Sequence, residues 1–269
     1  MLGTIKETVS FIKNKTGFEP ETGIILGTGL GGMVSEIKQE FVLDYENIPN
    51  FPASTVESHH GNLIFGTINE KKVVAMQGRF HYYEGYTMQE VTFPVRVMKY
   101  LGIRHLFVSN ASGGVNPGFE IGDLMIINDH INLIPNPLIG KHYPEFGDRF
   151  PDMSETYNTE LIERAKEIAY KNSIKVQVGC YVGTTGPTLE TPKEYVYFRN
   201  IGGDTVGMST VPEIIVAHQM GITCFAISII TDLGVPGKIV KVSLDDVKGV
   251  AEEAEPKMTL IMKELISSL

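Results

Sequence analysis

The sequence is poor in cysteine and contains no tryptophan. Its 269 residues include two cysteines, Cys180 and Cys224, which lie 44 positions apart and form no Cys-x-x-Cys pair. This cysteine usage is typical of a reduced protein, so we expect a cytoplasmic location. A chain of this length also buries enough surface to need neither a disulfide nor a metal for its core. Residues 1–15 carry charge in every turn and predict no signal peptide.

Positive charge is also scarce. The chain has 23 lysines and arginines against 32 aspartates and glutamates, a formal net charge of −9, and only six of its basic residues are arginine. This balance argues against partners that are bound through bulk positive charge, such as nucleic acids and anionic membranes. A small anion can still be bound locally, so the position of each arginine is informative.

Long apolar runs are missing as well. The longest segment without charge, residues 214–231, has 18 residues and is interrupted by His218, Gln219 and Gly221. We therefore predict a helix followed by a strand in this segment, and no membrane span.

No internal repeat or linker divides the chain, so we expect one domain over residues 1–269. Helix starts are predicted where an acid follows a threonine by three positions, at Thr4/Glu7, Thr87/Glu90, Thr191/Glu194 and Thr210/Glu213. Strands are predicted at residues 23–27, 63–68, 72–76, 105–110, 124–128, 175–182, 205–207 and 223–230, the second and third as a hairpin. The pattern indicates an α/β fold with a mixed, partly parallel sheet flanked by helices.

From Ser243 onward, apolar residues recur at helical spacing, and Pro256 predicts a kink in this last helix.

A glycine-rich segment follows the first predicted strand. Residues 27–32 read Gly-Thr-Gly-Leu-Gly-Gly, and glycines at a strand-to-helix turn let backbone N–H groups approach a phosphate. The segment also matches the Gly-x-Gly-x-x-Gly pattern of dinucleotide-binding proteins, with Glu46 about 20 residues further on, so an NAD-dependent oxidoreductase is an alternative. Barely two turns of helix fit between this segment and the apolar run at residues 41–43, which weakens the dinucleotide-binding interpretation. A glycine turn that serves only tight packing is another alternative.

A second polar segment, residues 78–86, follows the predicted hairpin. Arg79 offers a planar fork to a phosphate, His81 offers a donor, and Glu84 is a partner that can orient the imidazole. A solvated turn with an aromatic cap is the alternative interpretation.

Small and acidic residues end several further elements. Residues 109–114 end an apolar strand, where open α/β sheets bind ligands, although a simple turn is equally consistent. Glu190 either accepts hydrogen bonds from a ligand or favours the helix N-terminus that follows it. Ser209 is either a phosphate ligand or part of a cap, and Asp232, at the end of a buried strand, is a pocket candidate.

Taken together and in this order, these motifs resemble the trimeric purine nucleoside phosphorylases over nearly the whole chain, from about Gly23 onward. The resemblance implies one α/β domain with a distorted, barrel-like central sheet, and a homotrimer with active sites near the subunit interfaces. It also implies reversible phosphorolysis of purine (2′-deoxy)ribonucleosides to free base and pentose 1-phosphate in purine salvage. Inorganic phosphate would be the co-substrate, without a metal or an organic cofactor.

The same resemblance implies roles for individual residues. The phosphate would be bound by Thr28, His59, Arg79, His81, Ser209 and the backbone of Ala111. The ribose would be contacted by Tyr83 and Met208, with Leu244 at its 5′ position. The base would be bound by Tyr181, Leu189, Glu190, Val206 and Asp232. Phe150 would reach the neighbouring subunit's pocket, and the catalytic residues would be His81, Glu190 and Asp232.

Three positions depart from the family pattern. Asp232 stands where relatives specific for 6-oxopurines carry asparagine, so a protonated acid could donate to N7 and an ionised one could accept from a 6-amino group. Leu244 stands where a histidine often binds the 5′-hydroxyl, and an apolar residue suits a 5′-deoxy or 5′-alkylthio group better. Leu189 replaces a common phenylalanine. We therefore expect a relaxed choice at position 6 and at the 5′ position, with a methylthioadenosine phosphorylase as the alternative.

Overall fold

The computed structural model describes residues 1–27, 30–53 and 61–269. Seven α-helices lie in these ranges: Leu2–Thr16 (α1), Met88–Val91 (α2), Phe93–Leu101 (α3), Thr159–Lys171 (α4), Pro192–Asn200 (α5), Val211–Gln219 (α6) and Leu244–Ser267 (α7). The same ranges contain nine strands: Thr22–Ile25 (β1), Lys38–Asp44 (β2), Asn62–Ile68 (β3), Lys71–Gln77 (β4), His105–Gly114 (β5), Leu124–Asn132 (β6), Val176–Gly183 (β7), Thr205–Gly207 (β8) and Thr223–Leu233 (β9).

All nine strands join one mixed sheet, part of which closes on itself. The order is β2-β3-β4-β1-β5-β8-β7-β6-β9, and β9 also pairs with β5. Strands β5, β8, β7, β6 and β9 therefore form a closed ring, and the other four extend from β5 as an open wing. Closure removes the unpaired edges that a five-stranded sheet would otherwise expose. This architecture confirms the prediction of a mixed, barrel-like sheet flanked by helices.

Four neighbouring strands run parallel through the junction of the wing and the ring. Strand β1 pairs in parallel with β4 and with β5, and β5 pairs in parallel with β9 along its whole length. The carboxyl ends of these strands consequently lie at one edge of the sheet, where α/β folds place ligands.

Most predicted elements are present, with corrected bounds. The hairpin is confirmed, since β3 and β4 are antiparallel. Strand β2, which pairs with β3 and is largely exposed, is not among the predicted strands because it lacks a buried apolar face. Residues 111–114, read as a strand end or a turn, continue β5. Helix α7 continues through Pro256 as a single helix, and the predicted kink stays a prediction.

The four predicted helix starts have different outcomes. Thr87 and Thr191 form the expected capping boxes with Glu90 and Glu194. The prediction at Thr4 is wrong, because α1 begins at Leu2 and Glu7 accepts a hydrogen bond from the Asn50 amide at 3.1 Å instead. Helix α6 does begin after Thr210, but that side chain forms no cap. Glu213, its expected partner, has another role that is described below.

The hydrophobic core extends from α1 to α7. On α7 the predicted apolar stripe is buried at Ala251, Ala254, Met258, Ile261, Met262 and Leu265. Val247 and Val250, in its first two turns, are only half-buried. Within the described residues, no helix is long and apolar enough to cross a membrane.

Gly66 lies opposite a β-bulge in β2, between Gln39 and Phe41, and supplies a test of the wing. A Cβ at Gly66 would lie 2.2 Å from the Lys38 carbonyl oxygen of β2, so Gly66→Ala must push two strands apart. We expect this change to lower the free energy of unfolding by about 1–3 kcal/mol or more. Gly249→Ala is the matched control, because the helical Gly249 has open space around it and should gain roughly 0.5–1 kcal/mol. Unfolding midpoints in urea measure both, and equal effects would contradict the close contact.

Candidate active site

A cavity of about 380 Å³ lies at the carboxyl ends of β1, β4, β5 and β9. The loop before α5, the turn from β8 to α6 and the first turn of α7 complete its wall. Eleven of the predicted site residues line it: Arg79, His81, Tyr83, Ala111, Leu189, Glu190, Val206, Met208, Ser209, Asp232 and Leu244. Residues separated by up to 165 positions in the sequence, from Arg79 to Leu244, thus meet in one place.

Arg79 is held by a buried ion pair. Its Nε lies 3.1 Å from Oε1 of Glu213, and the two side chains are only 1% and 3% exposed. Its Nη1 donates to the Ser109 carbonyl oxygen at 2.8 Å and to Ser209 Oγ at 3.2 Å. A buried guanidinium requires such compensation, because desolvation of an unpaired charge costs several kcal/mol. Glu213 therefore fixes the direction of the guanidinium at the cavity wall.

The turn that carries Ser209 is conformationally strained. Thr210 has φ 70° and ψ −54°, and the Val211 N–H donates to the Ser209 carbonyl oxygen at 2.7 Å. This is a γ-turn with positive φ, which a β-branched residue adopts only when its surroundings enforce it. Helix α6 begins directly after this turn.

A chain of buried polar side chains enforces the turn. Asn110 of β5 donates from Nδ2 to Thr210 Oγ1 at 2.8 Å and accepts at Oδ1 from Ser228 Oγ of β9 at 2.6 Å. The Thr210 hydroxyl also lies 3.2 Å from Ser209 Oγ. Asn110 uses both ends of its amide in this network, which explains why an amide is needed inside the ring of strands. The network connects two barrel strands to the hydroxyl that contacts Arg79.

His81 is oriented by Glu84, as the sequence predicts. Oε1 of Glu84 accepts from the His81 backbone N–H at 2.8 Å and lies 2.9 Å from His81 Nδ1. Because an ionised carboxylate only accepts, Nδ1 carries the proton in this contact. The His81 ring stacks on Tyr83 with centroids 4.7 Å apart and planes 15° apart. Histidine and tyrosine thus present a rigid pair of rings to the cavity.

Two carboxylic acids with raised pKa values line the cavity. Burial raises the pKa of Glu190, and the nearby Asp232 charge raises it further. Burial also raises the pKa of Asp232, although the Thr231 hydroxyl at 3.1 Å from Oδ1 partly offsets this effect. The Tyr195 hydroxyl donates to Asp232 Oδ2 at 3.3 Å. Acids that resist ionisation are suited to donate protons near neutral pH.

Leu189 and Leu244 lie at the open side of the cavity. Their side chains are 54% and 58% exposed. Because both also line the cavity, they are positioned to contact an apolar group that enters it.

Two predicted site residues within the described ranges, Tyr181 and Phe150, do not line this cavity. Tyr181 is fully buried and does not line it, because Gly207 has no side chain and lets the tyrosine pack against β8, where its hydroxyl accepts from the Ser209 N–H at 3.4 Å. Phe150 lies on the surface and is 88% exposed. Thr28 and His59 lie outside the described residues.

The sequence gives little warning of three residues that shape the cavity. Asn110 and Tyr195 act through contacts 100 and 37 positions away. Asn110 lies in the candidate segment 109–114, but the sequence assigns its side chain no role, and no local pattern marks Tyr195. Glu213 resembles a capping residue because it follows Thr210 by three positions. The sequence does not show that Arg79 is buried, so it does not indicate that a distant carboxylate pairs with it.

The described residues on either side of positions 28 and 29 do not form the βαβ unit that a dinucleotide site requires. Residues Gly31–Glu36 form a 3-10 helix, and the next strand, β2, pairs antiparallel with β3 and not with β1. The Gly32 N–H donates to the Glu255 carboxylate of α7. In the described ranges no cluster of three His, Cys, Asp or Glu side chains could hold a metal ion.

The chain is similar to known proteins over almost its whole length. A model of the phosphorylase superfamily matches residues 21–267. Purine nucleoside phosphorylase 1 of Bacillus subtilis is 47% identical over 268 residues, covering 99% of both chains. A crystal structure of Schistosoma mansoni purine nucleoside phosphorylase isoform 2 with cytosine and ribose-1-phosphate has a TM-score of 0.95 at 41% identity and covers 99% of this chain and 96% of that one. A second Schistosoma structure, with adenosine, has a TM-score of 0.94 at 40% identity and covers 98% and 96%. The chain belongs to the purine nucleoside phosphorylases of the phosphorylase superfamily.

Proposed function

We propose that this protein catalyses the reversible phosphorolysis of purine (2′-deoxy)ribonucleosides in purine salvage. Inosine, guanosine and adenosine are the proposed substrates, and the products are the free base and pentose 1-phosphate. The observation that carries the proposal is the meeting of Arg79, Ser209, Glu190 and Asp232 in one cavity. The cavity combines hydrogen-bond donors for an anion with carboxylic acids for a purine. The relatives named above support both the binding of phosphate and the binding of a purine nucleoside.

Phosphate is proposed to bind at the Arg79 side of the cavity. Arg79, His81, Ser209 and the backbone of Ala111 line this part, and Thr28 and His59 complete the proposed set. The Glu213 pair and the strained Thr210 turn fix two of the donors before phosphate arrives, so binding costs little reorganisation. A fixed phosphate is close to the geometry of attack on the sugar, which lowers the entropic barrier.

The chemistry requires charge stabilisation on both sides of the sugar. The bond between C1′ and the purine N9 breaks, and a bond from C1′ to a phosphate oxygen forms, through a state that resembles an oxocarbenium ion. The phosphate dianion stabilises the positive sugar, and Tyr83 and Met208 are proposed to hold the ribose. Asp232 and Glu190 stabilise the electron pair left on the purine by donating or ordering a proton at the base.

The proposed substrate range includes 6-aminopurines and 5′-modified sugars. A protonated Asp232 can donate to a purine nitrogen, and an ionised one can accept from a 6-amino group. Leu244 offers no hydrogen bond to a 5′-hydroxyl but offers apolar contact to an alkylthio group, which favours 5′-methylthioadenosine as the second candidate substrate. Inorganic phosphate is the proposed co-substrate, without metal or organic cofactor.

The proposed assembly is a homotrimer in the cytoplasm. Phe150 supports an assembly because an exposed phenylalanine in a surface depression with Ile139 and Pro151 is costly to leave in water. Its proposed place is the pocket of the neighbouring subunit.

Phosphate-dependent release of base from inosine tests the proposed function directly. We expect hypoxanthine and ribose 1-phosphate only when phosphate is present, because phosphate is the nucleophile. Values of kcat/KM for inosine, guanosine, adenosine and methylthioadenosine then rank the substrates. Strong rejection of both aminopurine substrates would exclude the relaxed specificity, and NAD-dependent absorbance changes without base release would favour an oxidoreductase.

Replacement of Glu213 tests the buried ion pair. Glu213→Gln removes the carboxylate charge that pairs with the buried Arg79 guanidinium, so we expect a loss of about 3–5 kcal/mol in the free energy of unfolding. Because Arg79 also loses its direction, kcat/KM for phosphate should fall by up to about 100-fold. Glu160→Gln is the control, since Glu160 pairs with Arg164 at the surface of α4 and should contribute only about 0.3–0.5 kcal/mol. Calorimetry and initial rates at varied phosphate measure both, and similar small effects would refute the assigned role of Glu213.

Phe150→Ala tests the contribution of a neighbouring subunit. If Phe150 closes the adjacent pocket, we expect kcat/KM for inosine to fall about 10-fold, equivalent to roughly 1.4 kcal/mol. Tyr170→Ala is the matched control, because Tyr170 is 87% exposed on α4 and has no proposed role. Steady-state rates and sedimentation of both variants give the answer. Unchanged rates in Phe150→Ala would remove this residue from the site.

A further inference from the structure

Tyr195 connects the two carboxylic acids of the cavity. Its hydroxyl donates to Asp232 Oδ2 at 3.3 Å, and it also interacts with the Glu190 carboxylate, whose pKa it lowers. Tyr195 does not line the cavity itself. It lies behind both acids, at the start of α5.

The Tyr195 ring is fixed by its packing. The side chain is 6% exposed and belongs to a small apolar cluster with Val115, Val182, Phe198 and Val206. Any side chain at Gly234 would collide with the ring, because an added Cβ would lie 2.2 Å from it. The ring therefore cannot move far, and only the O–H bond is free to rotate between Glu190 and Asp232.

One hydroxyl proton cannot satisfy two carboxylates at once. Asp232 has a further partner in the Thr231 hydroxyl, and Glu190 has one in the Thr184 hydroxyl at 3.5 Å. Glu194 of α5 adds a third negative charge that acts on Glu190. Two adjacent carboxylates sharing one site disfavour double ionisation, so the arrangement favours one acid and one carboxylate.

We propose that Tyr195 is a positioning residue through which Glu190 and Asp232 share one proton and exchange the roles of donor and acceptor between 6-oxo and 6-aminopurines. The inference rests on the proposed function and specifies its base recognition. In the exchange, one acid transfers its proton to the tyrosine oxygen while the tyrosine proton passes to the other carboxylate. No net proton is gained or lost, and the hydroxyl then donates to the newly ionised partner.

The hydrogen-bonding edges of the two purine classes match the two arrangements. A 6-oxopurine presents a donor at N1 and acceptors at O6 and N7, so it fits an ionised Glu190 and a protonated Asp232. A 6-aminopurine presents an acceptor at N1 and a donor at the 6-amino group, so it fits a protonated Glu190 and an ionised Asp232. The second arrangement is the one in which the observed Tyr195 to Asp232 hydrogen bond stabilises a charge.

Tyr195→Phe removes the hydroxyl and retains the ring that packs on Gly234. Both arrangements lose an interaction with the hydroxyl, but the hydrogen bond that the structure forms is the one to Asp232. The loss should therefore be larger where Asp232 is ionised, so kcat/KM for adenosine should fall about 10-fold or more, and that for inosine less than about 3-fold. Asp232→Asn provides a second background, because asparagine cannot take part in the shared proton. In that background we expect adenosine to be a poor substrate already, and Tyr195→Phe to change the inosine to adenosine ratio less than about 2-fold. Tyr197→Phe, on the same helix but 51% exposed, is the control.

The outcomes separate this inference from the proposed function. Phosphorolysis of inosine with no turnover of adenosine by the wild type would overturn the shared proton and leave the proposed function intact. If Tyr195→Phe lowers kcat/KM for inosine and for adenosine equally in both backgrounds, the shared proton is also overturned, because a merely structural role predicts that result. A protein that releases no base from inosine in the presence of phosphate would instead refute the proposed function.

Discussion

The buried ion pair between Arg79 and Glu213 is the constraint on which the candidate site depends. A guanidinium with 1% of its side chain exposed is stable only beside a compensating charge, and the partner is 134 positions away. To bring Glu213 there, α6 must begin directly at the cavity, next to the end of β4. The strained Thr210 turn is a consequence, because it lets the chain leave β8 and enter α6 within a few residues.

The closed ring of strands holds the Thr210 turn in its strained conformation. Strand β5 belongs both to the ring and to the wing, and it pairs with β9 along its length. Asn110 and Ser228 face each other within this pair, where Ser228 donates to Asn110 and Asn110 donates to Thr210. Since interiors are close-packed and resist small displacements, a turn anchored to two barrel strands cannot relax without disturbing the core. The barrel thus transmits its rigidity to Ser209 and Arg79.

The sequence predicts features that depend on neighbouring residues much better than contacts between residues far apart in the chain. The capping boxes at Thr87 and Thr191 and the β3–β4 hairpin depend on residues a few positions apart, and they are correct. Thr210 has the same local pattern, but Glu213 pairs with Arg79, so tertiary electrostatics override the cap. Tyr195 and Asn110 have no local signature, because their roles come from a topology that joins β9 to α5 and β5 to α6. Glycine, arginine and acidic motifs nevertheless place eleven predicted side chains in one cavity, since strand ends carry most of them.

The net charge of −9 is compatible with the proposed phosphate site. Arg79 and Glu213 sum to zero, so the proposed phosphate pocket does not depend on an excess of positive side chains. In the proposed site, the dianion is recognised instead by donors whose directions the fold fixes, namely a guanidinium, a serine hydroxyl, a histidine and the backbone around Ala111. Fixed dipoles in a water-poor cavity interact more strongly with an anion than the same groups would in water. Their attraction is short-ranged, so a net negative charge on the rest of a protein does not prevent it from binding a small anion locally.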